Sequence, residues 1–163
     1  MVTTGYIAGL ADGEGCFEIT VYKRRGGFRI RPEFRLTLFN EGIEALHKIR
    51  RYFGFGRTYI YDTRWGTKGG IYVVVGKSDQ RKLKSFFGEN PLIAKREAFK
   101  IWSKAVDVSE ETKGSKNKEE RRDKFIKLAR LREDILKHVA HKKRKYSFQD
   151  LVSTLDNKLH VSE

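Results

Sequence analysis

An α+β fold, with helices laid against an antiparallel sheet, is the class this sequence predicts. Two stretches alternate apolar and polar residues around turn glycines, which is the pattern of β-hairpins. Segments with apolar residues at helical spacing separate and follow those hairpins. The chain also opens on a helix-like segment, Tyr6–Gly15 (YIAGLADGEG), that carries glycines four residues apart and ends on a carboxylate.

In that first helix Gly5, Gly9 and Gly13 fall along one face, with Ala8 and Asp12 beside them, because residues i and i+4 stack. Each interior glycine costs a helix about 1 kcal/mol relative to alanine. A face that accepts this repeatedly is expected to meet another backbone at close range. Asp12 and Glu14 sit at the helix C-terminal end, where the macrodipole disfavours acids. Breaks of two local rules within ten residues tend to mark a functional site.

The strands follow. Cys16–Arg24 sets Phe17, Ile19 and Val21 against Glu18, Thr20, Tyr22 and Arg24. Gly26–Gly27 makes the turn. The next run sets Phe28, Ile30, Phe34, Leu36 and Leu38 against Arg29, Arg31, Glu33, Arg35 and Thr37, and Pro32 implies an edge position or a bulge. Glu41–Phe53 has helical spacing, with Gly54 as its cap. Arg57–Arg64 and Gly70–Gly76 are the strands of a second hairpin, connected by Trp65–Gly69. A helix runs from about Ser78 to Gly88, and a longer one from about Leu92 to Val108. Asp107–Lys118 reads as a polar loop, Glu119–Ala140 as an amphipathic helix and His141–Lys145 as a basic run. Ser147–Asp150 resembles a capping box that opens a last short helix.

Composition narrows the class of function. The 163 residues suit one domain, 1–163, with a sizeable core. Thirty-five Lys and Arg against 21 Asp and Glu leave a formal charge of +14, which implies a polyanionic partner, foremost nucleic acid. Cys16 is the single cysteine, so an intramolecular disulfide and a zinc cluster are both excluded. No signal-peptide pattern and no span-length apolar run is present, so a soluble intracellular protein without a membrane partner is expected.

The segment Ile7–Gly15, IAGLADGEG, resembles the LAGLIDADG motif of homing endonucleases, with Glu14 at the family's metal-binding acid. The order helix, strand, strand, helix, strand, strand, helix through Phe87 is the αββαββα core of that family. The resemblance therefore implies a LAGLIDADG core with a curved antiparallel sheet over about 1–106, then a C-terminal helical extension over about 119–160. It also implies a homodimer, because this chain has one motif and no internal repeat. Gly5, Ala8, Gly9 and Asp12 are the expected interface, the alternative being a glycine face packed on another helix of the same chain. If two such helices meet about a two-fold axis, both Glu14 carboxylates converge. Like charges held close are costly unless divalent cations neutralise them.

Mg²⁺, or another divalent cation such as Mn²⁺, is the implied cofactor. Glu14 is the expected ligand with the Gly13 carbonyl, while Asp12 is expected to bond turn backbone. By resemblance, Asn40 holds the place of a solvent-positioning residue; a plain helix N-cap is the competing reading. Lys95 is the expected active-site lysine, with Arg96 its rival.

Double-stranded DNA is the implied partner, read in the major groove by the polar sheet face. That face comprises Glu18, Thr20, Tyr22, Arg24, Arg29, Arg31, Glu33, Arg35 and Thr37, joined by Arg57, Tyr59, Tyr61, Arg64 and Lys68. Lys116, Lys118 and Lys142–Lys145 are expected to meet phosphate. The implied activity is hydrolysis of both strands near the centre of a long pseudo-palindromic site, leaving 3′ overhangs. The alternatives are a maturase acting on its own intron RNA and a DNA-binding regulator without nuclease chemistry.

Overall fold

The computed structural model describes residues 2–25, 27–111, 117–139 and 145–156. Its element order is α1 (Thr4–Glu14), β1 (Gly15–Arg24), β2 (Gly27–Phe39), a 3₁₀ turn (Asn40–Gly42), α2 (Ile43–Phe53), β3 (Arg57–Asp62), β4 (Lys68–Val74), α3 (Lys77–Glu89), α4 (Arg96–Glu111), α5 (Lys118–Ile135) and α6 (Phe148–Asp156). This is the expected αββαββα order followed by further helices. The four strands form one antiparallel sheet in the order β1-β2-β4-β3.

Local chemistry sets each boundary. Thr3 caps α1, its Oγ1 accepting from the Tyr6 N–H at 3.2 Å. The chain then passes from helix to strand at Gly15, where a Cβ would lie 2.4 Å from the Ala11 carbonyl oxygen, so only glycine fits that corner. Gly54 ends α2 in the left-handed region (φ 70°), as its place in the sequence predicts. Ser147 and Asp150 form the expected reciprocal box: the Ser147 N–H donates to Asp150 Oδ2 (2.7 Å) and the Asp150 N–H to Ser147 Oγ (3.1 Å).

Pro32 sits where the sequence allows it. β2 pairs with β1 from Gly27 to Leu36 but with β4 only from Phe34 onward, so the half that contains Pro32 is an edge. Gln80 Nε2 donates to the Pro32 carbonyl there.

Several expected limits move. The second hairpin turns earlier, with the Thr63 N–H donating to the Thr67 carbonyl (2.8 Å), so Arg64 and Trp65 belong to the turn and Lys68 and Gly69 to β4. The helix expected from Leu92 starts at Arg96, because Asp12 holds the N–H groups of residues 93–95 in a turn. That helix continues to Glu111 through part of the expected loop. The α5 helix ends at Ile135, short of the expected limit at Ala140, which lies outside the described residues.

The helices cover one face of the sheet. Phe17, Phe34, Phe87, Phe99 and Trp102 form an aromatic centre with ring centroids 5.0–6.2 Å apart. Trp102 Nε1 donates to the Glu33 carbonyl at 3.1 Å, which satisfies the indole and ties α4 to β2. Among the described residues no helix is long and apolar enough to cross a membrane.

Candidate active site and nucleic-acid interface

The foot of α1 is the first half of the site. Ile7 and Ala11 bury one side of the helix against the core. On the other side a Cβ built at Gly5, Gly9 or Gly13 would meet nothing within 4 Å. Among the described residues the glycine face is therefore unpartnered, and packing on a described helix of the same subunit does not account for it.

Glu14 ends this helix, exposed. Asp12 has turned the other way. Its carboxylate accepts three backbone N–H groups, from Ile93 (3.2 Å), Ala94 (3.0 Å) and Lys95 (2.9 Å). Partial burial would raise its pKa, but those donors and the Lys95 charge outweigh it and hold the carboxyl below its usual range. The expected backbone-bonding role of Asp12 thus lands on the turn that leads into α4.

That turn delivers Lys95 to Glu14. Lys95 is half-buried and its Nζ donates to the Gly13 carbonyl at 2.5 Å. Burial pushes its pKa down, opposed by Cys16, Glu14 and Asp12. Arg96, the rival, is exposed and is the first residue of α4. Asn40 is the first residue of the 3₁₀ turn and exposed, at φ 49°. It caps neither helix by its side chain: Phe39 and Gly42 hold the N-cap positions, and neither makes a side-chain cap bond. The N-cap reading of Asn40 is therefore set aside, and its left-handed backbone is the unusual feature at that position.

The donor types suit a hard divalent cation: an exposed carboxylate and the main-chain carbonyl of the residue before it. A carbonyl has two lone pairs, so Gly13 can accept from Lys95 and still offer the second. Among the described residues no three of His, Cys, Asp and Glu gather into a closed site. One chain thus presents an open, partial set.

The uncovered sheet face is the second half. Pairing places Glu18 opposite Glu33, Thr20 opposite Arg31 and Tyr22 opposite Arg29, with Arg24 and Gly27 at the hairpin end. Arg35 and Thr37 continue this face beside β4, and Arg57, Tyr59 and Tyr61 continue it on β3. Arg24, Arg29 and Arg57 are exposed.

Glu18 and Glu33 are not exposed. Glu33 is 3 % accessible and Glu18 9 %. Tyr22 donates its hydroxyl to Glu33, Arg35 Nη2 donates to Glu33 at 3.1 Å, and Arg31 Nη2 donates to the Tyr22 oxygen at 2.9 Å with its guanidinium 4.3 Å over the Tyr22 ring. Burial alone would raise the Glu33 pKa, but the Tyr22 hydrogen bond and the Arg35 charge bring it below the usual value. Burial and the bond to Glu33 push Tyr22 upward. Cys16 also faces this side, its Sγ donating to Glu18 Oε1 at 3.0 Å.

Two expected members lie elsewhere. Arg64 sits in the turn with its guanidinium 4.2 Å over the Trp65 ring. Lys68 alternates with Gly70 and Tyr72, away from the open face, and its Nζ is 3.1 Å from Asp62. Lys118 is exposed at the start of α5, and Lys145 lies near the Tyr146 ring. Lys116 and residues 142–144 lie outside the described residues. Sequence reasoning missed Phe39, Ile71 and Val73, which pairing puts on the open face beside Tyr59 and Tyr61.

No curated protein matches the chain. Solved structures resemble it in fold. The archaeal intron-encoded homing endonuclease I-Vdi141I, complexed with DNA, is 24% identical over 94% of each chain, with a TM-score of 0.79. The homing endonuclease I-CvuI, in complex with the I-CreI target in the presence of Mg, is 16% identical over 94% of this chain and 92% of its own, with a TM-score of 0.77. I-SmaMI, bound to an uncleaved DNA target with calcium ions, is 19% identical over 86% of this chain but only 47% of its own, with a TM-score of 0.69. The model of the LAGLIDADG endonuclease family matches residues 7–106. Since that match takes in more than half of the 163 residues, the chain belongs to the LAGLIDADG endonuclease family.

Proposed function

We propose that two copies of this chain act together as a site-specific homing endonuclease, cutting both strands of a long pseudo-palindromic DNA site in a divalent-cation-dependent hydrolysis. The observation that carries this reading is the exposed Glu14 carboxylate at the foot of a helix whose glycine face has no partner among the described residues of its own chain. The match to about half of I-SmaMI supports the assembly of two copies.

In this reading Glu14 and the Gly13 carbonyl of each copy would hold Mg²⁺ or Mn²⁺, which would supply a more acidic bound water and charge neutralisation at the phosphoryl oxygens. Lys95, tethered to Gly13, adds a positive charge beside the scissile phosphate and is placed to hold a proton. Asn40 orients solvent. The arginine-bearing sheet face fixes register in the major groove, with Arg aimed at guanine. Lys118, Lys145 and other basic residues at helix ends meet phosphate.

The test is selection from a randomised duplex library with protein in Ca²⁺, followed by challenge of the enriched sequence with Mg²⁺. A long pseudo-palindrome that is cut on both strands near its centre is the expected result. Enrichment without cleavage would replace the reading with a non-cleaving regulator. Absence of enrichment, with binding to structured intron RNA, would replace it with a maturase.

A further inference from the structure

The open face of the sheet has two chemistries, which meet at the mixed row of Arg35, Val73 and Arg57. Toward the β1–β2 turn its cross-strand rows are Glu18 with Glu33, Thr20 with Arg31, and Tyr22 with Arg29. All are polar. Toward the other end the rows are Thr37 with Ile71 and Tyr59, then Phe39 with Gly69 and Tyr61; Val73 stands between Arg35 and Arg57. Phe39 is 53% exposed, Tyr59 52% and Tyr61 39%, while Ile71 and Val73 are half-buried. The orientation is fixed independently by the glycines. A Cβ at Gly70 would strike Ile43 and Leu46 beneath the sheet, whereas one at Gly69 would strike the Tyr61 ring. Gly69, Ile71 and Val73 therefore face away from the core.

An apolar patch of this kind on an otherwise charged binding face calls for an apolar partner feature. Its setting names the occupant. It is continuous with the arginine rows, on a chain of charge +14, so the surface that covers it is polyanionic. In duplex DNA the one apolar group on a major-groove base edge is the C5-methyl of thymine. The patch also has a position. Gly15, directly after Glu14, pairs with Leu36, so the apolar rows begin beside the foot of α1. The far end of the hairpin, where Arg24 pairs with Gly27, is about 30 Å away along the strands.

We infer that Phe39, Ile71, Val73, Tyr59 and Tyr61 read thymine methyls at the positions of each half-site nearest the cut, while the arginine rows read polar base edges farther out. This rests on the endonuclease reading above and divides its DNA target into two chemical zones.

The experiment starts from the duplex recovered by selection. Each thymine is replaced in turn by deoxyuridine, which removes the methyl and nothing else, and affinity is measured in Ca²⁺. The inference expects a loss of about fourfold for each contacted methyl, confined to the inner positions of each half-site. The variants Ile71→Asn and Val73→Asn, both on the sheet surface, are then expected to bring the thymine-to-uridine ratio at one inner position close to unity while leaving the outer positions unchanged. A duplex that is enriched but indifferent to uridine, or sensitive only at outer positions, overturns the two-zone inference and leaves the endonuclease reading standing. Failure to enrich any duplex overturns both.

Discussion

Lys95 is fastened to the foot of α1 at both of its ends: its backbone N–H donates to Asp12 Oδ1 (2.9 Å) and its Nζ to the carbonyl of Gly13 (2.5 Å). Two residues 82 or 83 positions away thus fix both the start and the tip of one side chain. The consequence is a division of labour between neighbouring acids. Asp12 spends its lone pairs on the turn before α4, which leaves Glu14 as the exposed carboxylate at the helix end.

Asp12→Asn is expected to cost about 1–2 kcal/mol of stability, because an amide oxygen replaces a charge that accepts three N–H groups. The pH dependence has a definite sign. A carboxyl whose folded pKa lies below its ordinary 3.8 adds stability that is complete above that value and is lost as pH falls through the lower folded value. Urea denaturation of the two proteins between pH 3 and 6 should therefore converge at the acid end. Curves that stay parallel to pH 3 would show that Asp12 does not stabilise the turn in this way.

Glu14→Gln should abolish cleavage while leaving affinity for the target in Ca²⁺ within about threefold, since a neutral amide keeps the shape but not the charge. Lys95→Met should lower the single-turnover rate by a factor of about 10²–10⁴ with binding similarly preserved. Because burial lowers the Lys95 pKa, any alkaline limb of the rate profile that Lys95 governs should fall below pH 10.5 and vanish in Lys95→Arg. Full cleavage by Glu14→Gln would remove this carboxylate from the mechanism.

Much of this was legible in the sequence, because period-two alternation, turn glycines and capping residues are local signals. The order of the core elements, the Gly54 cap and the Ser147–Asp150 box all follow from residues within a few positions of each other. What was not legible depends on partners far along the chain. The start of α4 moves to Arg96 because Asp12, on another helix, claims the preceding N–H groups. Glu18 and Glu33 look like solvent-facing acids in isolation; register sets them opposite each other, with Tyr22 and Arg35 closing over Glu33. Ile71 and Val73 lie on a strand with apolar residues on both faces, and only pairing with β2 and β3 shows which way they point.

Gly9→Ala should separate helix propensity from assembly. Among the described residues of one chain the added methyl meets nothing within 4 Å, so the isolated fold should gain up to about 1 kcal/mol from the better helix former. Gly9→Leu should likewise fold normally by circular dichroism. In a dimer packed through these glycines both variants lose association, Leu more than Ala. Light scattering or sedimentation that finds an undisturbed dimer for Gly9→Leu would place the interface elsewhere.

Glu33→Gln tests whether a buried acid sets the aim of the arginines around it. Glu33 accepts from Tyr22 and Arg35, and Tyr22 in turn accepts from Arg31, so one carboxylate orders two guanidinium groups without itself being reachable by a base. Removing its charge should cost about 1–3 kcal/mol, because hydrogen bonds to a charged group are lost while their donors stay partly buried. The native contribution follows the carboxylate: its folded pKa lies below the ordinary 4.5, so the stability it adds is present above that value and lost below it. The effect on DNA should be selective. Arg31 and Arg35 freed from Glu33 sample more orientations, so discrimination should weaken at the base pairs they face and persist at those facing Arg57 and Tyr59. Sequence profiles from the duplex selection measure this directly. A uniform loss of affinity with unchanged preference at every position would mean that Glu33 serves the fold alone.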